Sequence, residues 1–398
     1  MKNVLFLNII VFMSFIKGFV RKHKLFAIQV AVVLSLIISL IVLSILKTNQ
    51  GVCEAWTRGT TRFHETLFGK LTEWISFSLT ELLMFTIIIA CITLVVLFII
   101  DFVHLRIWAA IGKIMTISIV LLGIFTAYSA TFEMGYNRKP VDIPMYQKQV
   151  KEEDYYKIVE YFVDDLNKCV SELEFEEDGN LVKPYSNAVL NDKVKALYAN
   201  LDSDYFGEYT PNIKPMISSY IYRMFCITGW HFAPLGECVV NNLTTSAELP
   251  FTYAHEMSHS KGVANEDDAQ LTAAYVSFKS DDPYIRYSAY AYTVGSVLDM
   301  AKYSDTPDAY KTLVNKIDNK VWKNFDYINK YWDKYGVMEK LGDKINDWYL
   351  KLSGDKEGTA SYSDSPTIVD NSGKVISLSR YQKLYVQLYV DIFPSELS

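Results

Sequence analysis

Within the stretch Pro250 to Leu271, which reads PFTYAHEMSHSKGVANEDDAQL, His255, Glu256 and His259 form an HExxH pattern. On a helix the two imidazoles, at i and i+4, leave the same face about one turn apart. That is the bite needed to hold one tetrahedral Zn²⁺ through two nitrogens. Glu256 lies beside that face, where a carboxylate can take a proton from water on the metal without being a ligand itself. The chemistry these residues imply is metal-assisted hydrolysis.

A third protein ligand has to come from beyond Gly262, where a small-residue turn lets the chain leave the helix and double back. Glu266 opens the next helix, with Asp267 and Asp268 in its first turn, where acidic side chains complement the helix dipole. A carboxylate from Glu266 completes a His₂Glu set and leaves the fourth position to water. Asp267 and Asp268 are the alternative donors, and one of them is expected to orient a ligand histidine from behind. Leu249, Phe251, Tyr253, Ala254 and Met257 interleave with the histidines, so the helix is expected to be buried. Two imidazoles and a carboxylate buried together are costly without a metal. His231, in Gly229-Trp-His-Phe, offers a donor for a developing oxyanion, as does the run Tyr284 to Tyr290 through Arg286 or Tyr290. The default for both is structural, since the chain holds 28 tyrosines and a lone histidine is more often a packed one.

The elements that must position these groups fall into two compositions. The first third of the 398 residues is far more apolar than the rest. Leu25 to Leu46, Leu82 to Ile100 and Ile107 to Tyr128 are each long and apolar enough to cross a bilayer, with Lys113 able to snorkel. Val4 to Ile16 is apolar but short, which suits an interfacial segment. Lys17, Arg21 and Lys22 follow it where a signal peptide would need small residues. These cations and Lys24 precede the first span and should stay cytoplasmic. Three spans then put everything after Tyr128 outside the cytoplasm; a fourth through Val4 to Ile16 would reverse that. Lys47 to Trp74 reads as an outward-facing loop.

The sequence therefore divides into a membrane region (1–131), a linker (132–145) marked by Pro140 and Pro144, and a body (146–398). In the body, Tyr155, Ile158, Val159, Phe162, Val163, Leu166 and Val170 recur at three and four from Glu152 onward, the pattern of an amphipathic helix. Further helices are expected over Asn187–Leu201, from Leu249 through the HExxH, over Tyr284–Met300, from Asp305-Thr-Pro307 through Phe325, and over Leu341–Leu352 and Ser377–Ile392. Cys238-Val239-Val240 reads as a short strand and Ser353 to Gly373 as a polar loop. A formal net charge of −6 with no basic stripe argues against a nucleic-acid partner. The five cysteines form no CxxC pair, and Cys226 and Cys238 are expected as separate thiols.

The chain resembles a family of bacterial integral-membrane proteins catalogued as domain of unknown function 3810, whose members resemble zinc peptidases of the gluzincin kind. The residues that carry the resemblance are Gly135-Tyr-Asn-Arg138, Gly229 to Asn241 (GWHFAPLGECVVN), the site from Pro250 to Gln270, Tyr284 to Tyr290, and Asn346 to Leu350. The resemblance implies zinc on His255, His259 and Glu266, with Glu256 as base. It places Asp267, Asp268 and Gln270 around the ligands, in a segment where the family usually has Glu-Asp-Glu-Ala-Asn. It also suggests that Glu237 to Asn241 forms an edge strand beside the cleft, with Val239, Val240 and Asn241 pairing with an extended substrate.

The implied fold is mainly α, with N-terminal transmembrane helices and a mostly helical, zincin-like α+β domain containing a small sheet. The implied function is a multi-pass, membrane-embedded metallopeptidase acting on a peptide or protein. The competing reading is a non-catalytic zinc-binding sensor or scaffold, in which Glu256 would have no task. Intramembrane proteolysis fits poorly, because Glu248, Lys261 and Asp267 crowd the site segment with charge.

Overall fold

Three helices long and apolar enough to cross a membrane occupy the N-terminal part of the chain: α1 (Lys24–Leu46), α4 (Leu79–Val103) and α5 (Ile107–Thr131). They appear in a computed structural model that describes residues 23–199, 201, 204–395 and 397. The segment Val4 to Ile16 and the cations Lys17, Arg21 and Lys22 lie outside the described residues. Large apolar side chains such as Ile38 and Ile89 stand exposed along these helices, as suits helices able to cross a bilayer. Gln29 ties α1 to α5, donating to the Gly112 carbonyl and the Thr116 hydroxyl at 2.9 Å each. Such interhelical hydrogen bonds hold helices together where apolar burial gives little drive.

Between the first two spans the chain is helical where a loop was expected. It forms α2 (Gln50–Trp56), a π-helical turn (Thr57–Thr61) and α3 (Arg62–Thr72). The face α3 buries carries Glu65, Gly69 and Thr72, polar or small residues that leave no hydrophobic stripe to read. After α5, Glu133–Asn137 forms a 3₁₀ turn with Met134 fully buried.

The remaining chain is a helical body. In order it comprises α6 (Glu152–Ser171), α7 (Asn187–Tyr198), β1 (Lys214–Pro215), α8 (Ser219–Met224), β2 (Gly229–Phe232) and β3 (Glu237–Val240). Then come α9 (Leu249–Ser260), α10 (Glu266–Phe278), α11 (Pro283–Met300), α12 (Ala309–Lys316), α13 (Asn319–Asp333) and α14 (Gly336–Ser353). The chain closes with β4 (Ile368–Val369), β5 (Val375–Ser377) and α15 (Arg380–Ile392). The apolar stripe of α6 is buried as its spacing requires, and it packs with α11, α15 and the α9–α10 pair in one core. Some helix starts are capped by side chains: Asp282 accepts from Tyr284 N, and Ser379 forms a capping box with Gln382.

Further expectations need correction. The helix foreseen from Asp305 through Phe325 is two, because Ile317 is extended and Asp318 caps a new start by accepting from Lys320 N at 2.8 Å. The segment Ser353 to Gly373 also holds structure, a 3₁₀ turn at Gly358–Tyr362 and strand β4.

The three-stranded sheet has the order β1-β3-β2, with β1 parallel and β2 antiparallel to β3. Strand β3 is therefore central, not an edge. Lys214 and Pro215 pair with Val239 and Val240 on one side, and Gly229 and Trp230 pair with the same two residues on the other. A carboxylate on β3, Glu237, caps the start of span α4, accepting from Leu79 N at 3.0 Å and Thr80 N at 2.7 Å.

Candidate metal centre

Helix α9 is buried along its whole length, and its two histidines point at the start of α10. Gly262, at φ +89°, turns the chain between the helices, a conformation that only glycine adopts without strain. Arg138 holds that turn, donating to the Gly262 carbonyl at 2.7 Å and to the Tyr205 carbonyl at 3.0 Å. Arg138 is itself paired with Glu54 of α2 at 2.9 Å. The turn that delivers Glu266 is thus clamped from the region between the first two spans.

The outcome is a convergence of three donor atoms. His255 Nε2 lies 3.1 Å from Glu266 Oε2 and 3.1 Å from His259 Nε2, and His259 Nε2 lies 3.4 Å from Glu266 Oε2. Donors bound to one tetrahedral ion at about 2.0–2.1 Å stand about 3.3–3.4 Å apart. All three residues are buried and form a group able to hold a metal ion. Two imidazole Nε2 atoms at this separation cannot both keep a proton between them, whereas both lone pairs can be shared with one cation. His259 Nδ1 donates to the Val263 carbonyl at 2.7 Å, which fixes the ring and aims Nε2 at the centre.

Electrostatics within the triad are correspondingly strained. Burial works against a charged His259, but the Glu266 carboxylate overrides it and lifts the imidazole to about 9. Burial likewise works against the Glu266 carboxylate, yet His259 and His255 hold it well below the usual carboxylate range. His255 is lowered by burial, with Glu266 opposing. A bound divalent cation would replace the proton that Glu266 draws onto His259.

Glu256 is nearly fully buried, and its Oε2 has no hydrogen-bond partner. Burial pushes its carboxyl up to about 8, with His259 pulling down and Glu266 adding to the rise. Gly229 of β2 stands against it, and any side chain there would collide with the Glu256 carboxylate. Trp230 Nε1 and Gln270 Oε1 are further buried polar atoms without partners. With His255 and Glu256 they line a cleft of about 610 Å³, walled by β2, α9, α10, α14 and Tyr362.

A scan of the sequence against known families adds one finding. The pattern defining a family described as protein of unknown function, DUF3810, matches residues 56–369. The chain belongs to the DUF3810 family. No curated protein and no solved structure is detectably similar to it. The matched range takes in α3, the 3₁₀ turn after α5 and the whole HExxH segment.

Several sequence-derived assignments change. Val239 and Val240 are fully buried in the central strand and expose no free edge. Asn241 braces a turn, donating to the Ser219 and Ile227 carbonyls and accepting from Leu243 N. The strand at the cleft is β2, through Gly229 and Trp230. Tyr290 lies in the core, donating to Asp165 at 2.9 Å and packing on Phe278 and Tyr385. Asp267 and Asp268 both pair with Arg380 of α15 and orient no histidine; they anchor the helix that carries Glu266. Gln270 faces the cleft.

His231 is structural. Its Nε2 lies 3.1 Å from Glu65 Oε1 and its Nδ1 3.3 Å from Cys238 Sγ. Burial pushes His231 down to about 3 and raises Glu65, which favours the neutral form of each. Cys226 and Cys238 are free thiols, as expected. Sequence reasoning missed Tyr362, whose ring lies 6.3 Å from that of His255, and Phe132, whose ring lies 5.7 Å from that of His259. A lone tyrosine in a polar segment gives no signal. Phe132 sits at the end of a span, where an aromatic is the norm.

Proposed function

We propose that this protein is a membrane-anchored, zinc-dependent metallopeptidase with its HExxH body on the extracytoplasmic side. The observation that carries the reading is the combination of three converging donors with one buried, unpartnered carboxylate beside them. His255, His259 and Glu266 would hold the ion, and their number leaves a position open, as in catalytic rather than structural zinc sites. Bound there, Zn²⁺ would supply Lewis acidity, lowering the pKa of water and polarising a carbonyl.

The chain's own residues would do the rest. Glu256, raised toward neutrality by its burial, accepts a proton from the attacking water and passes it to the leaving amine. Gly229 keeps space open beside that carboxylate. The edge of β2 offers backbone groups to an extended peptide, and Trp230 Nε1 and Gln270 Oε1 offer hydrogen-bonding partners from the cleft wall. Phe132 and the His231–Glu65 pair close the side behind His259 to water. The cations before α1 and the three candidate spans among the described residues support that sidedness.

The test uses the full chain in detergent or nanodiscs, loaded with zinc and offered a mixed peptide library. Wild-type protein should cleave, and Glu256→Gln should lower turnover about 10²- to 10⁴-fold while keeping its zinc. Undiminished cleavage by Glu256→Gln contradicts the assigned role. Stoichiometric zinc with no cleavage by either protein would favour a sensor or scaffold.

A further inference from the structure

Two helices beside the cleft carry apolar faces that the protein does not cover. On α14, Val337, Leu341, Ile345, Trp348 and Leu352 recur at four, four, three and four, and are between 46% and 85% exposed. On and before α8, Ile217, Tyr220, Ile221 and Met224 are between 44% and 70% exposed. Lys340 and Lys344 stand exposed beside the α14 stripe. A long apolar stripe with an interfacial tryptophan and flanking lysines is the pattern of a helix lying in a membrane surface.

Position makes the occupant specific. The start of α8 is pinned to the first turn of span α4, where Glu81 accepts from Ile217 N at 2.7 Å and Ser218 N at 2.8 Å. The end of α14 is pinned to the last turn of span α5, where Tyr128 Oη meets Ser353 Oγ at 2.9 Å and Tyr349 Oη at 2.7 Å. Both anchor points lie at the same end of the spans, so both helices sit where hydrocarbon gives way to headgroups. The two cross tightly, since a side chain at Gly342 would press on the Phe225 carbonyl. Phe85, about one turn deeper in α4 than Glu81, lines the same cleft as Ile221, Ile345, His255 and Glu256. One cleft thus runs from Phe85 on a span to the HExxH.

We propose that α8 and α14 seat in the lipid–water interface and that the cleft opens sideways onto the bilayer, so that its substrate is an amphipathic polypeptide segment lying at the membrane surface. The substrate class rests on the peptidase reading; the lipid seat does not. A membrane-spanning anchor alone would leave the cleft free to face bulk water. The uncovered stripes, fixed at the height of the span ends, turn it to the lipid instead.

The lipid seat is tested with full-length protein in nanodiscs whose phosphatidylcholine is brominated near the headgroup end of the acyl chains. Subtracting the emission of Trp348→Phe from wild type isolates Trp348. Brominated lipid should remove about half or more of that difference, as for a ring seated about 5–10 Å into the interface. Emission that brominated lipid leaves unchanged and that aqueous iodide quenches overturns the proposal. The substrate class is tested by comparing one peptide free and lipid-tethered. Wild type should cleave the tethered form about tenfold faster or more, and Val337→Glu/Leu341→Glu should bring the ratio toward one. Equal rates in wild type overturn lateral delivery. Failure to cleave either peptide counts against hydrolysis itself, while Trp348 still decides the lipid seat.

Discussion

Glu237 and Glu256 are both almost entirely buried carboxylates, yet their surroundings differ completely. Glu237 takes hydrogen bonds from Leu79 N, Thr80 N, the Ser78 and Thr80 hydroxyls and the Lys214 ammonium. It is a joint between the sheet and the start of a span. Glu256 Oε2 has no partner and sits beside three atoms arranged to share a cation. A buried charge that is fully satisfied fixes structure. One left unsatisfied costs stability and is tolerated where chemistry needs it. What marks Glu256 out is not burial but an unpartnered oxygen beside a triad that could share a cation.

That contrast can be broken or sharpened by mutation. Glu237→Ala leaves the Lys214 ammonium buried without its carboxylate and uncaps α4. It should cost about 3–5 kcal/mol, read as a lower unfolding midpoint of the detergent-solubilised protein. If its midpoint matched wild type, Glu237 would be no joint at all. Gly229→Ala should lower peptide turnover on the order of 10²-fold, because the new methyl displaces the Glu256 carboxylate, while zinc content stays unchanged.

Glu256→Gln should do the opposite of Glu237→Ala to the metal-free protein and stabilise it, by about 1–3 kcal/mol near pH 7–8. The sign follows from linkage. The folded carboxyl titrates near 8 and the unfolded one near 4.5, so across that window the unfolded state sheds a proton that the folded state keeps. Wild-type stability therefore falls as pH rises from about 4.5 to about 8, and the advantage of the glutamine should vanish at the acid end. An advantage independent of pH would contradict the buried-carboxylate account. Smallest of all, Asp267→Asn should shift the midpoint by less than about 1 kcal/mol. That side chain is partly exposed, and Arg380 keeps Asp268.

The half of the site that could hold a metal was legible because its logic is local. The i, i+4 spacing of His255 and His259 needs only a helix, and Glu266 needs only the Gly262 turn. The stripe of α6 was legible for the same reason. What escaped depends on contacts distant in sequence. The face that α2 and α3 bury is built on Glu54, Thr61, Glu65 and Gly69, so no hydrophobic period announces it. The partners of two of those groups, Arg138 for Glu54 and His231 for Glu65, lie far along the chain. Strand β3 was read as an edge because its outer neighbour is only Lys214–Pro215, too short to show a pattern in an extended segment. Tyr290 seemed available from its place in a tyrosine run, but a partly buried aspartate of α6, Asp165, takes its hydroxyl. The stop at Ile317 was signalled by Asp318, a good N-cap that the apolar spacing across it concealed.

The central claim is that His255, His259 and Glu266 hold one divalent ion, and metal analysis of the purified full-length protein tests it most directly. After exposure to zinc and removal of the excess, wild type should carry one zinc per chain, and His259→Ala and Glu266→Ala almost none. Glu256→Gln should retain it. Wild type without zinc, or His259→Ala still holding a full equivalent, would contradict the account.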